Sequence, residues 1–162
     1  MNIDWTNIVT GLLAFLLGLL VKTLLDHNLA IWIVKYFNNT PVRFIYRTSP
    51  HNISGFWEQI WEFAAGESFT NSTERHSHTR LKQLGKYIYG EFYSASKEYY
   101  LFGEIKDNYI IGHWSDKNDK LGYFGSFEIR IVDSNCMEGK WIGHSKKTQM
   151  IYGDLWNWKK IR

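Results

Sequence analysis

The 162-residue chain carries 19 Lys and Arg against 16 Asp and Glu, and 44% of its residues are hydrophobic and 17% aromatic. That composition excludes a disordered chain and supports one domain with a buried core plus an appendage. A single cysteine, Cys136, excludes an intramolecular disulfide framework and fits a reducing compartment.

The formal charge of +3 is unevenly spread. Residues 1–50 hold Lys22, Lys35, Arg43 and Arg47 against Asp4 and Asp26, whereas residues 51–162 are nearly balanced. The larger part therefore lacks the basic excess of a general nucleic-acid binder, and no DNA or RNA partner is expected.

The first predicted element is "WTNIVTGLLAFLLGLLVKTLL", Trp5 to Leu25. As a helix it would be about 31 Å long, matching a bilayer's hydrocarbon core. No positive charge precedes it and no A-x-A-like site follows, so a transmembrane helix is expected rather than a cleaved signal peptide. Lys22 lies in the last turn of the span and Lys35, Arg43 and Arg47 follow it, with only Asp4 before it, which predicts a cytoplasmic C-terminal domain. Gly11, Ala14 and Gly18 share one helix face, where small residues let two helices approach closely. They are the candidate residues for self-association in the membrane; the alternative is that Gly and Ala are simply frequent in membrane helices.

"LAIWIVKYF", Leu29 to Phe37, is too short to cross. Trp32, Tyr36 and Phe37 beside Lys35 suit an interfacial helix at headgroup level. The expected layout is a transmembrane helix in residues 1–26, an interfacial segment and linker in 27–50, and an all-β domain in 51–162.

From Ile53 onward, period-two patterning and short polar turns predict eight strands. They are approximately Ile53 to Phe63, Thr79 to Gly85, Lys86 to Tyr93, Glu98 to Lys106, Asn108 to Ser115, Gly122 to Val132, Met137 to Ser145 and Gln149 to Trp158. The connections are too short for crossover helices, so a small antiparallel up-and-down β-barrel, lipocalin-like, is the expected fold. The polar stretch Ala64 to His78 is expected to be a mobile loop.

Glycine recurs in every predicted strand, from Gly55 through Gly112 and Gly125 to Gly153, and by parity each is placed on the more apolar, inward face. Two causes remain open there: glycine kinks that let strands coil tightly, and missing side chains that leave interior space.

No phosphate-cradling loop, nucleophile elbow or HExxH motif is present, and no enzymatic activity is expected. His76 and His78 share the polar stretch without a matched carboxylate, so no metal site is expected. The candidate ligand-binding residues are Trp57, Gln59, Trp61, Gln83, Trp114, Arg130 and Trp141. Amides can read a nucleobase edge, indoles offer stacking, and outer-face cations such as Arg130, Lys140, Lys82 and Lys86 could meet phosphates near the barrel mouth. The alternative is a Trp-rich core with solvated surface charges.

The membrane segment followed by "ISGFWEQIWE", "GEIKDNYIIGHW", "GYFGSFEIRI", "MEGKWIGHS" and "YGDLWNW" resembles the β-barrel membrane effectors of bacterial CBASS antiphage defence, the CD-NTase-associated, SMODS-associating two-transmembrane β-strand-rich family. Gly55-Phe56-Trp57 also echoes the G-x-W of lipocalins. The resemblance implies a barrel that binds a cyclic di- or oligonucleotide made by a cognate CD-NTase, with no other cofactor. Binding then drives homo-oligomerisation through the membrane helices, disruption of the bacterial inner membrane and abortive infection. The chain departs from that family in having one segment long enough to span rather than two. A membrane-tethered, lipocalin-like carrier of a lipid or other small apolar ligand is the competing expectation, and a structural membrane protein whose barrel recruits partners is another.

Overall fold

The computed structural model describes residues 5–26, 29–38, 50–62, 75–94, 96–119, 121–144 and 149–161. The chain divides into two compact units, Met1–Ile33 and Val34–Arg162.

The first unit contains helix α1, Trp5–Asp26. Its run of Leu, Val, Phe and Ala has no proline and gives the helix apolar side chains all round. Thr10 and Thr23 return their hydroxyls to the carbonyls of Thr6 and Leu19, four residues back, so neither presents an unpaired donor on that surface. Gly11 and Gly18 lie in open space, with nothing within 4 Å of where a Cβ would stand. Among the described residues no helix is long and apolar enough to cross a membrane.

Helix α2, Leu29–Phe37, runs across the boundary between the units. In the second unit, Val34 is buried and Lys35 reaches Glu91 at 2.7 Å, while Lys82 donates to the Lys35 carbonyl. Lys35, expected at a bilayer headgroup, is thus ion-paired to the barrel wall. Residues 39–49 of the expected linker lie outside the described residues.

The strands are β1 (Gly55–Trp61), β2 (His76–Leu84), β3 (Tyr87–Ser94), β4 (Lys97–Lys106), β5 (Tyr109–Asp116), β6 (Phe124–Ile131), β7 (Cys136–His144) and β8 (Ile151–Lys160). Each pairs antiparallel with the next, and β1 pairs with β8 to close the expected eight-stranded barrel. Closure leaves no sheet edge. The tight β2–β3 turn uses Gly85 at φ 58°, a conformation costly to other residues, so Gly85 serves the turn and not a strand interior.

Two expectations are corrected. His76–His78 belong to β2 rather than to a loop; of the expected loop, residues 64–74 lie outside the described residues. Gly153 faces outward with Ile151 and Leu155, because the much larger Trp156 and Trp158 take the inward positions of β8.

The inward glycines of β5 to β7 stand where neighbouring atoms come too close for a side chain. A Cβ on Gly125 would run into the Ile142 carbonyl and come within 2.7 Å of the Trp114 ring. One on Gly112 would strike the Phe102 carbonyl and lie 2.7 Å from Phe127. Trp114 and Phe127 therefore close over the space, which supports the tight-coiling role. Gly125→Ala is expected to destabilise the barrel by about 1–3 kcal/mol through overpacking. Gly11→Ala should leave the barrel's thermal unfolding midpoint unchanged; equal midpoints for wild type and Gly125→Ala would refute the packing argument.

Glu91 also accepts from the Tyr89 hydroxyl and lies 3.3 Å from Lys117. Burial raises its carboxyl, but the bonds from Lys35 and Tyr89 and the charges of Lys35 and Lys117 outweigh burial and hold it at about 2. A depressed pKa stabilises the fold above the ordinary value of 4.5, and that contribution is lost as pH falls towards about 2. Glu91→Gln should cost about 1–2 kcal/mol at pH 6, allowing for partial exposure, with the deficit shrinking below pH 4 in thermal denaturation. A deficit independent of pH would contradict the assignment.

Candidate ligand site in the barrel interior

Starts of odd strands and ends of even strands meet at one end of an up-and-down barrel. That end is filled by Trp57, Ile88, Ile105, Ile110 and Met137, all buried. The Trp57 indole donates to the Ile53 carbonyl at 2.8 Å, so this end is a satisfied apolar floor.

The opposite end is aromatic. Trp61, Phe92 and Tyr99 are buried there, with Trp114 and Trp141 partly buried against them. Phe92 stacks on Tyr99 at 5.4 Å between centroids, and Trp114 meets Tyr99 and Trp141 edge-on. Burial, with Asp116 and Tyr123 adding to it, pushes the Tyr99 hydroxyl up to about 12, so it stays a neutral donor at physiological pH. Asp116 accepts from the backbone of Asn118 and Asp119, and Lys97 stands 3.5 Å from its carboxylate on the rim.

Between floor and mouth, β1 and β8 face each other with Gln59 in register with Trp158 and Trp61 with Trp156. Gln59 is fully buried, yet neither amide atom has a hydrogen-bond partner among the described residues. The indole nitrogens of Trp156, Trp158 and Trp114 are buried and unpartnered in the same sense. Each buried unpaired polar group costs about 1–3 kcal/mol, so the cluster is expensive unless something polar meets it. Chemically it offers one carbonyl acceptor, amide donors and indole donors, framed by ring faces.

The seven sequence-derived candidates divide accordingly. Gln59, Trp61, Trp114 and Trp141 converge on the mouth half, although the Trp141 indole already donates to the Glu62 carbonyl at 3.1 Å. Trp57 belongs to the floor. Gln83 faces inward but is spent on local backbone: it accepts from Ile53 N and donates to the His51 and Gly85 carbonyls. Arg130 lies on the outer surface at the floor end, 3.7 Å from Glu138, and not at the mouth. Lys86 is likewise paired, with Glu104 at 2.6 Å. Parity identifies a face but not the depth along the barrel, and that is why Gln83 and Arg130 fall away from the site.

Trp156 and Trp158 were missed because Ile151 and Leu155 made the other face of β8 read as the inner one. The pair of indoles two residues apart in "YGDLWNW" was the available signal. No family model, curated protein or solved structure matches the chain.

An unpartnered core amide is better replaced by a similarly sized apolar side chain. Gln59→Leu should raise the stability of the ligand-free protein by about 1–2 kcal/mol in chemical denaturation. A loss of stability of that size would show that the amide is bonded in the resting barrel and that the cluster is ordinary core.

Proposed function

We propose that the chain is a membrane-anchored sensor whose barrel binds a cyclic nucleotide and whose helices then assemble, the role implied by its resemblance to CBASS effectors. The observation that carries this reading is the unpartnered cluster of Gln59, Trp114, Trp156 and Trp158 inside an aromatic mouth. Ring faces suit nucleobases, an amide suits a base edge, and Lys97 on the rim suits a phosphate. A lipid or other apolar ligand would leave the amide and indoles unpaired, so the carrier reading is less well supported.

The membrane part rests on α1. Its 22 residues would extend about 33 Å. Leu12, Leu13, Phe15, Leu16 and Leu17 are each more than half exposed, and the sequence stays apolar through Leu24 and Leu25. A helix apolar on all sides needs a covering, and a bilayer supplies one. With Lys22 near the end of the helix and Lys35, Arg43 and Arg47 after it, the barrel lies on the cytoplasmic side of the inner membrane. Gly11, Ala14 and Gly18 form the contact face between copies. Assembly follows ligand binding if the assembled state binds more tightly, by about 5.5 kcal/mol for a near-complete switch. The protein acts as a receptor with no catalytic step.

Full-length protein in detergent, titrated with a panel of cyclic di- and trinucleotides, should show a raised unfolding midpoint with at least one member. Gln59→Leu should remove that shift while remaining folded. No shift with any member would contradict the reading, and a shift with lipid alone would favour the carrier. Gly18→Ile is expected to abolish toxicity in cells making the ligand while leaving binding intact; retained toxicity would overturn the helix-contact assignment.

A further inference from the structure

We propose that the outer face of the β1–β2 pair is a zinc site built from Glu58, His76 and His78. Side chains two apart on a strand share a face, so His76 and His78 both point outward while Ser77 between them points in. Glu58 on β1 is directly opposite His78, and Ile60 is opposite His76. The cross-strand carboxylate that the sequence did not reveal is therefore supplied by the neighbouring strand.

The donors are close together. One ligand atom from each residue lies within 4.8 Å of the other two, His76 Nε2 is 2.6 Å from Glu58 Oε1, and the imidazole centroids are 4.9 Å apart. Ligands of a tetrahedral zinc with bonds near 2.05 Å stand about 3.3 Å apart, so the three donors are already near the spacing a bound ion requires. None of the three is buried, and an ion can enter from solvent.

The donor set selects the metal. Two neutral imidazoles and one carboxylate suit a borderline divalent ion such as Zn²⁺ and not Ca²⁺ or Mg²⁺, which require oxygen shells. Three protein ligands leave a fourth position for water. Lys159, in register with Glu58 on β8, is the nearby positive charge the ion must tolerate.

The position ties this site to the interior. Glu58, His76 and His78 alternate with Gln59 and Ser77, which are paired with each other on the inward side of the same two strands. A bound ion would pin β1 to β2 at the rung that carries the unpartnered amide. This site stands independently of the proposed nucleotide ligand.

The test uses the full untagged chain in detergent, stripped with chelator and titrated calorimetrically with ZnCl₂. One equivalent should bind, and His76→Gln, His78→Gln and Glu58→Gln should each weaken binding at least about tenfold, since even outer-shell partners typically contribute 10–100-fold. His113→Gln should bind as wild type. The visible absorption of the wild-type Co²⁺ complex gives a readout free of any variant, and an intense band is expected from a tetrahedral site. Zinc affinity unchanged in all three variants, no stoichiometric binding by wild type, or a weak octahedral Co²⁺ spectrum would each overturn the proposal.

Discussion

Pairing of β1 with β8 is the constraint on which the rest of this structure depends. It removes the last two edges of an eight-stranded meander and makes the inward face of every strand part of one enclosed interior. It also sets Gln59 beside Trp158 and Trp61 beside Trp156, residues nearly a hundred positions apart in sequence. Closing so small a barrel requires neighbouring backbones to approach closely, and the glycines of β5 to β7 permit this where a Cβ on Gly112 or Gly125 would collide with a carbonyl. Once those strands coil, Trp114 and Phe127 fold over them and the interior becomes a floor, a polar middle and an aromatic mouth.

That division gives the interior two energetic characters. Near the floor, Trp57 and Gln83 have met their hydrogen-bonding needs within the chain, and this end behaves as ordinary core. In the middle and at the mouth, Gln59, Trp156, Trp158 and Trp114 have buried polar atoms with no partner among the described residues. A fold evolved for stability alone replaces such groups with apolar ones, whereas a binding site keeps them because the ligand supplies the missing partner. The outer wall carries its own charged network, in which Glu91 gathers Lys35, Tyr89 and Lys117 and holds the end of α2 against β2 and β3.

Much of this was legible in the sequence, for identifiable reasons. Alternation of large apolar residues with polar ones fixed the number of strands and most inward faces, and turn chemistry at Lys106–Asn108 and Val132–Asn135 fixed the connections. Alternation failed on β8, where Ile151 and Leu155 on one face compete with Trp156 and Trp158 on the other. It failed again at His76–His78, because the inward residues there are Ser77 and Thr79, so the strand lacks the apolar signal that marks its neighbours. Glu58 and His78 are brought together by register, which depends on closure and is invisible in local pattern. Depth along the barrel is equally non-local, and it separates Gln59 from Gln83 although both face inward.

The middle of the barrel is proposed to hold a polar, aromatic-stacking ligand. Proton–nitrogen spectra of the indole N–H groups, recorded while a cyclic dinucleotide is added to the full-length protein, test it most directly. Trp114, Trp156 and Trp158, whose indoles have no partner among the described residues, should shift on saturation, while Trp57, bonded to the Ile53 carbonyl, should stay in place. Spectra in which these three resonances are unmoved by every cyclic nucleotide tried would contradict the account.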